Sequence, residues 1–324
     1  MKVRIAIVSD VHYAGAEERA RCTNNRYWQQ VKNPIVRIAA RAFHHFIWLR
    51  DHGGHNNLLD EFLAAAGQPD LVVANGDYSC NTGKAGVSDP ASFASAKECL
   101  DKIRSRFAEK VRVTIGDHEL GKTDLFSGRG SMTLASWPRV TQGLGIEPFW
   151  RVSFGKYVLL GITSSLVALP LYRLDVTAAD AAGWDQLRQT HMENIRAAFA
   201  GLKPGERVIL FSHDPSALPF LWREPVVRDN LTRLEQTLVG HLHTNVVIRL
   251  SRAFSWLPPV SFLGVGVRRI TGGLREAKLW KTFHVRLCPA LAGIQLLKDG
   301  GWLSIELDTD ANTPAKFEFH PLKW

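Results

Sequence analysis

Five short stretches of this chain end in side chains that bind metal ions well: Asp10-Val11-His12, Gly76-Asp77, Gly116-Asp117-His118-Glu119, His213, and Gly240-His241-Leu242-His243. Imidazole and carboxylate together suit borderline and hard divalent ions such as manganese, iron and zinc. Taken singly, each stretch has a plain explanation. Asp10 and Asp77 read as cap or turn residues, and His213, before Asp214-Pro215, reads as a surface histidine. The set does not reduce that way, because capping gives no reason to end every core strand in His or Asp. The neighbouring glycines let the backbone turn sharply and leave an approach open to an anion.

These residues need elements that bring them together. Val3 to Val8, Leu71 to Ala74, Val111 to Ile115, Val208 to Phe211 and Thr237 to Val239 have the length and β-branched content of buried strands. Each of the five motifs follows one of them. Helical periodicity marks Ile35 to Leu49, Leu58 to Ala66, Phe93 to Phe107 and Ala178 to Phe199, so strands alternate with helices and sheets covered by helices are expected. Strand ends in such proteins converge on one sheet edge, where ligands bind. Phe149 to Phe154 and Val158 to Ile162, around Gly155 and Lys156, predict a hairpin and hence an antiparallel component. Alternation returns at Trp302 to Leu307 and Lys316 to Phe319.

In this order the motifs closely resemble those of the calcineurin-like metallophosphoesterases, whose signature runs D-x-H, G-D, G-N-H-[D/E], H and G-H-x-H. The resemblance covers residues 10 to 243. It implies an α/β four-layer sandwich of two mixed β-sheets flanked by helices, and two metal ions, manganese or iron ahead of zinc or magnesium. It further implies that Asp10, His12 and His243 hold one ion, that His213, His241 and Asp117 hold the other, and that Asp77 bridges them. The reaction implied is hydrolysis of a phosphate ester or diphosphate by a hydroxide shared between the ions. His118 is then the non-ligand histidine, donating a proton to the leaving oxygen or binding a phosphoryl oxygen. One departure stands out: Asp117 replaces the family's usual asparagine. Three ionised aspartates set about three negative charges against four from two divalent ions, which weakens the attraction for a phosphate dianion.

Two other functions compete with this one. Gly116 to Thr123 satisfies the phosphate-loop pattern G-x-x-x-x-G-K-[S/T] after a predicted strand. Against an NTPase stand Asp117 and Glu119, whose carboxylates repel phosphates from within the loop. The other is a catalytically weak, metal-dependent binding protein for a phosphorylated ligand or a membrane. Arg21, Arg26, Lys122 and Arg129 lie after metal-ligand motifs and are candidates to hold substrate phosphates.

The chain of 324 residues reads as a metallophosphoesterase core over 1–250, with an extension over 251–324 packed on the same domain. With 45% hydrophobic and 22% charged residues it is neither disordered nor membrane-embedded in character. No run reaches the roughly 20 apolar residues of a membrane span, and no signal peptide is recognisable, so a cytoplasmic location is expected. The four cysteines form no C-x-x-C pair, which argues against a thiolate zinc or redox motif. A formal charge of +9 favours anionic partners without choosing among phosphorylated small molecules, anionic membrane and nucleic acid. A nucleotide-type or lipid-linked diphosphate, with both charge and apolar surface, is the favoured substrate class. From Arg268 to Arg286, basic and aromatic residues interleave, which fits either amphipathic packing or peripheral contact with an anionic membrane.

Overall fold

A computed structural model describes residues 1–23, 34–51, 53–121, 132–173, 175–253, 276–311 and 313–323. Among the described residues ten strands form two five-stranded sheets. In the first, β1 (Lys2–Val8), β2 (Leu71–Ala74) and β3 (Val111–Val113) are parallel. In the second, β4 (Phe149–Phe154) and β5 (Tyr157–Ile162) form the expected hairpin. Next to β5 run β6 (Arg207–Ser212), β7 (Leu234–Val239) and the short β8 (Val285–Leu287), all parallel to it. The chain then returns to the first sheet, where β9 (Gly301–Asp308) lies antiparallel to β1 and β10 (Lys316–Pro321) lies antiparallel to β9.

The period of two along each strand sorts side chains between two apolar layers. Ile5, Ile7, Leu71 and Val73 of the first sheet share a core with Leu159, Ile209, Phe211 and Leu238 of the second. The alternate residues, among them Ala6, Val8, Val72, Leu160 and Leu210, join helix residues such as Phe62, Leu100, Ile103, Trp184 and Ile195. Helix, sheet, sheet and helix therefore stack as layers. The two long helices, Pro90–Phe107 and Ala181–Ala200, cover outer faces. The first starts on Asp89, whose side chain accepts from Ser92 N–H, with Pro90 in the first turn.

Parallel strands end on the same edge. The loops after β1, β2, β3, β6 and β7 therefore meet, and hydrogen bonds tie them together. Asp10 N–H donates to Gly76 O (3.0 Å), His12 N–H to Asp77 O (3.0 Å) and Gly240 N–H to His213 O (2.9 Å). Among the described residues no helix is long and apolar enough to cross a membrane. None of the four cysteines forms a disulfide. Within the described part of the basic aromatic stretch, Trp280 and Phe283 are buried in the core, while Arg268 to Arg275 lie outside the described residues.

Candidate metal centre

Five of the expected ligand residues sit in the left-handed backbone region: Asp10 (φ 50°), His12 (φ 47°), Asp77 (φ 60°), His241 (φ 59°) and His243 (φ 58°). That region is sparsely populated for residues with a Cβ, and its cost is tolerated where the turn must aim a side chain. Gly76 has φ 97°, and a Cβ there would overlap the His213 ring and the Gly116 backbone. Only glycine lets the β2 loop pass so close to its neighbours.

Among the described residues the loops bring the seven expected metal ligands and His118 into three overlapping groups of candidate ligand atoms, each within 4.8 Å. Asp10, His12 and His243 form one, Asp77, Asp117, His213 and His241 the second, and His12, Asp77 and His118 the third. Asp77 thus belongs to two groups and stands at their junction. In the first group His12 Nε2 is 3.2 Å from His243 Nε2, and His243 Nε2 is 3.4 Å from Asp10 Oδ1. In the second, His213 Nε2 lies 3.1 Å from Asp77 Oδ2 and 3.0 Å from Asp117 Oδ1, and His241 Nδ1 lies 2.9 Å from Asp117 Oδ1.

His213 decides whether such a group suits a cation. Its Nδ1 is 2.6 Å from the carbonyl oxygen of Asn75, which can only accept, so Nδ1 carries a proton. In the neutral ring Nε2 then offers a lone pair, and it faces two carboxylate oxygens at about 3 Å. Three electron-rich atoms at such spacing fit the edges of an octahedron with bonds of about 2.1 Å. They repel one another unless positive charge sits between them. The titration behaviour says the same. Burial lowers the His213 pKa, yet Asp77 and Asp10 outweigh it and raise the group well above its ordinary value. His118 is likewise pulled down by burial but lifted to about 9 by Asp77 and Asp117. The second group demands positive charge, which protons on His213 and His118 supply when nothing else does.

The first group behaves differently. Burial, and then the neighbouring histidines, lower His12 to about 4 and hold His243 well below its ordinary range. Both rings are neutral at physiological pH, the form in which imidazole ligates. Burial raises Asp10 to about 6, while its oxygens accept from Ser9 Oγ (2.5 Å) and from His241 N–H (2.9 and 3.1 Å). The donor set, in type and spacing, fits two divalent ions.

His118 differs from the others in reach. Its Nδ1 donates to Ser79 O (3.0 Å), its backbone N–H donates to Asp77 Oδ1 (2.9 Å), and its Nε2 stays 3.8 Å from Asp77 Oδ2 with 28% of the side chain exposed. The ring is oriented through Nδ1, and Nε2 lies near Asp77 beyond hydrogen-bond distance on a partly exposed side chain.

The same loop removes the phosphate-loop reading. Glu119 turns its carboxylate back to accept from Gly116 N–H (2.9 Å), Asp77 N–H (3.1 Å) and Tyr78 N–H (2.8 Å). Within the described part of the loop the amides of Gly116, His118 and Gly121 already donate, to Glu119, to Asp77 Oδ1 and to Asp117 O, and the Asp117 carboxylate faces two histidines. The part of the pattern after Gly121 lies outside the described residues.

The family pattern of calcineurin-like phosphoesterases matches residues 3–245, which contain every one of these side chains. The chain belongs to that family. It is a phosphoesterase, and the family implies a centre of two metals. Among solved structures, the phosphoesterase is similar to a dimetal phosphatase from Danio rerio, at 12% identity over 97% of this chain and 98% of that one (TM-score 0.53). It is also similar to a phosphopantetheinyl hydrolase from Mycobacterium tuberculosis, at 15% identity over 74% and 82% (TM-score 0.35). A third is a purple acid phosphatase from yellow lupin, at 14% identity over 75% and 38% (TM-score 0.35). At 12% identity the likeness to the dimetal phosphatase is one of fold alone. No curated protein matches the phosphoesterase in sequence.

Of the expected substrate-binding residues, Arg26, Lys122 and Arg129 lie outside the described residues. Arg21 is turned to Asp89 (2.9 Å) and Glu17 (2.7 Å), so its guanidinium is engaged by two carboxylates of the protein itself. Three neighbours of the centre were not legible in the sequence. The Trp48 ring lies 4.7 Å from that of His243 and walls its edge. Glu119 buttresses the Asp77 loop as described above. Asp214 accepts from Tyr172 O–H and sits 3.7 Å from His241 Nε2, placing a carboxylate behind the ring whose Nδ1 faces Asp117. Its position beside His213 was the only sequence signal for it.

Proposed function

We propose that this phosphoesterase hydrolyses a phosphate ester or diphosphate at a centre of two divalent ions, manganese or iron ahead of zinc or magnesium. Asp10, His12 and His243 hold one ion, Asp117, His213 and His241 hold the other, and Asp77 serves both. The observation that carries this reading is the convergence of His213 Nε2 with the Asp77 and Asp117 oxygens at about 3 Å, a buried set of donor atoms of the type and spacing that a divalent ion takes. When bound, such ions polarise the phosphoryl group and make a water acidic enough to react near neutral pH.

The protein's own groups do the rest. His118 is fixed through Nδ1 by Ser79 O, so Nε2 is free to hand a proton to the leaving oxygen or to hold a phosphoryl oxygen. Asn75 O and Asp214 orient His213 and His241, so that the ligating nitrogens stay aimed. Trp48 supplies an apolar wall beside His243. That wall and the overall positive charge support a substrate with both anionic and apolar parts, either a nucleotide-type or a lipid-linked diphosphate.

Metal analysis of Asp77→Ala, together with a screen of monoesters, diesters and diphosphates in different added metals, tests the proposal. Loss of hydrolysis and of most bound metal in a folded protein is expected. Full activity in Asp77→Ala would overturn it.

A further inference from the structure

An amphipathic helix on a protein surface ordinarily turns its apolar stripe to the core. The Pro34–Phe46 helix does the opposite. Ile35, Ile38, Ala39, Ala42 and Phe46 recur at helical spacing on one face, and all are exposed, with Ile35 at 76%, Ile38 at 69% and Phe46 at 67%. Arg37 and His44, on the opposite side of the wheel, are partly buried. The outward stripe is an apolar surface left exposed among the described residues.

Two other segments extend it. Leu296 N–H donates to Ile47 O (3.1 Å) and Gln295 Nε2 to His45 O (2.8 Å), which fastens the 294–298 turn to the end of the helix. Leu296 there is 62% exposed, and Leu297 is exposed beside it. Thr244 Oγ then donates to Asp299 Oδ2 (2.5 Å), which anchors the start of the Asn245–Ala253 helix with its exposed Val246 and Leu250. The three segments meet where Trp48 packs on His243, at the rim of the metal centre.

Their charge is one-sided. Residues 34–50, 245–253 and 294–298 contain six arginines and lysines and no aspartate or glutamate. Arg41, Arg50, Arg249 and Lys298 are exposed. The carboxylates that flank these segments, Asp51 and Asp299, each accept a hydrogen bond from the protein, Asp51 from Gly53 N–H and Asp299 from Thr244 and Ile294 N–H. Large apolar side chains set among an excess of cations are the chemistry of a surface that enters the boundary between acyl chains and anionic head groups. A second copy of the chain is a poor fit, because a two-fold contact would press this basic face against itself.

We propose that this face docks the protein on an anionic lipid bilayer, with the rim of the metal centre at the membrane surface. Docking is independent of the reaction catalysed and is read without any substrate. The full chain is floated with vesicles of phosphatidylcholine alone and of phosphatidylcholine with about one part in three phosphatidylserine. Binding is expected to the second kind, to weaken with added salt, and to fall roughly tenfold or more in Ile38→Glu/Phe46→Glu and likewise in Arg41→Gln/Lys298→Gln. The second pair leaves the apolar stripe intact, so it tests the face even if the first alters folding. Absence of binding, equal binding to both vesicles, or binding unchanged in both variants overturns the proposal. So does a dimer in solution that Ile38→Glu/Phe46→Glu dissociates, since the face would then belong to a second copy.

Discussion

His191 sets a measurable limit on the acid stability of this protein. It lies on the Ala181–Ala200 helix at 3% exposure, and its Nε2 accepts from Thr163 N–H (3.1 Å). An accepting Nε2 requires the neutral ring, and burial alone lowers the pKa from 6.5 to about 3. Because the folded value is the lower one, the unfolded chain takes up the proton first. The contribution of neutral His191 is whole above the unfolded value and is lost as pH falls through the window from 6.5 towards about 3. A pH of about 5 lies about 1.5 units below the unfolded pKa of 6.5, and each unit is worth about 1.4 kcal/mol. Stability should therefore drop by about 2 kcal/mol between about pH 7 and pH 5 on account of this one group. His191→Gln keeps an acceptor for Thr163 N–H and cannot titrate. Urea unfolding of both proteins at the two pH values, at matched metal content, isolates the effect, since all other acid-sensitive groups are common to both. A pH dependence of unfolding that is the same in His191→Gln would refute the reasoning.

Asp117→Asn keeps an oxygen ligand while removing one negative charge, so metal should bind about ten- to a hundredfold more weakly and, at saturating metal, kcat/KM for a monoester should rise relative to a diester of the same leaving group. An unchanged metal profile and ratio would mean that Asp117 is no ligand. His118→Ala should lower kcat by about a hundredfold or more and leave metal content near wild type, because a proton donor and not a ligand is removed; equal loss of both, measured by metal analysis and turnover, would reassign it. Gly76→Ala should lose metal and at least about 2 kcal/mol of stability in denaturant unfolding, since its Cβ meets the His213 ring from a left-handed backbone. A fully loaded, stable Gly76→Ala would show that the β2 loop has room to spare.

The candidate ligands were legible before any fold because each stands just after a run of β-branched residues. That coincidence, repeated five times, is a local property of the chain. Parallel pairing of β1 with β2, of β2 with β3 and of β6 with β7 then puts the motifs at one edge. The hairpin and the long helices were readable for the same reason, since periodicity and Gly155 act over a few residues. β8 was not: three residues, Val285–Leu287, carry too little pattern, and their place beside β7 depends on a partner distant in sequence. Other features were beyond the reach of local pattern altogether. Glu119, which from sequence alone only repels phosphate, folds back to occupy the amides of Gly116, Asp77 and Tyr78. Arg21, an open candidate for substrate, is closed by Asp89 from another helix start. Trp48 reaches His243, and the apolar stripe of the Pro34–Phe46 helix, which by periodicity belongs against a core, faces outward. The sequence determined which side chains could hold metal and on which strand ends they lie, because residue type and strand pattern are written locally. Only the tertiary structure decided which of them face one another, which neighbours orient them and which apolar faces stay uncovered, because those depend on distances between segments that no local pattern encodes.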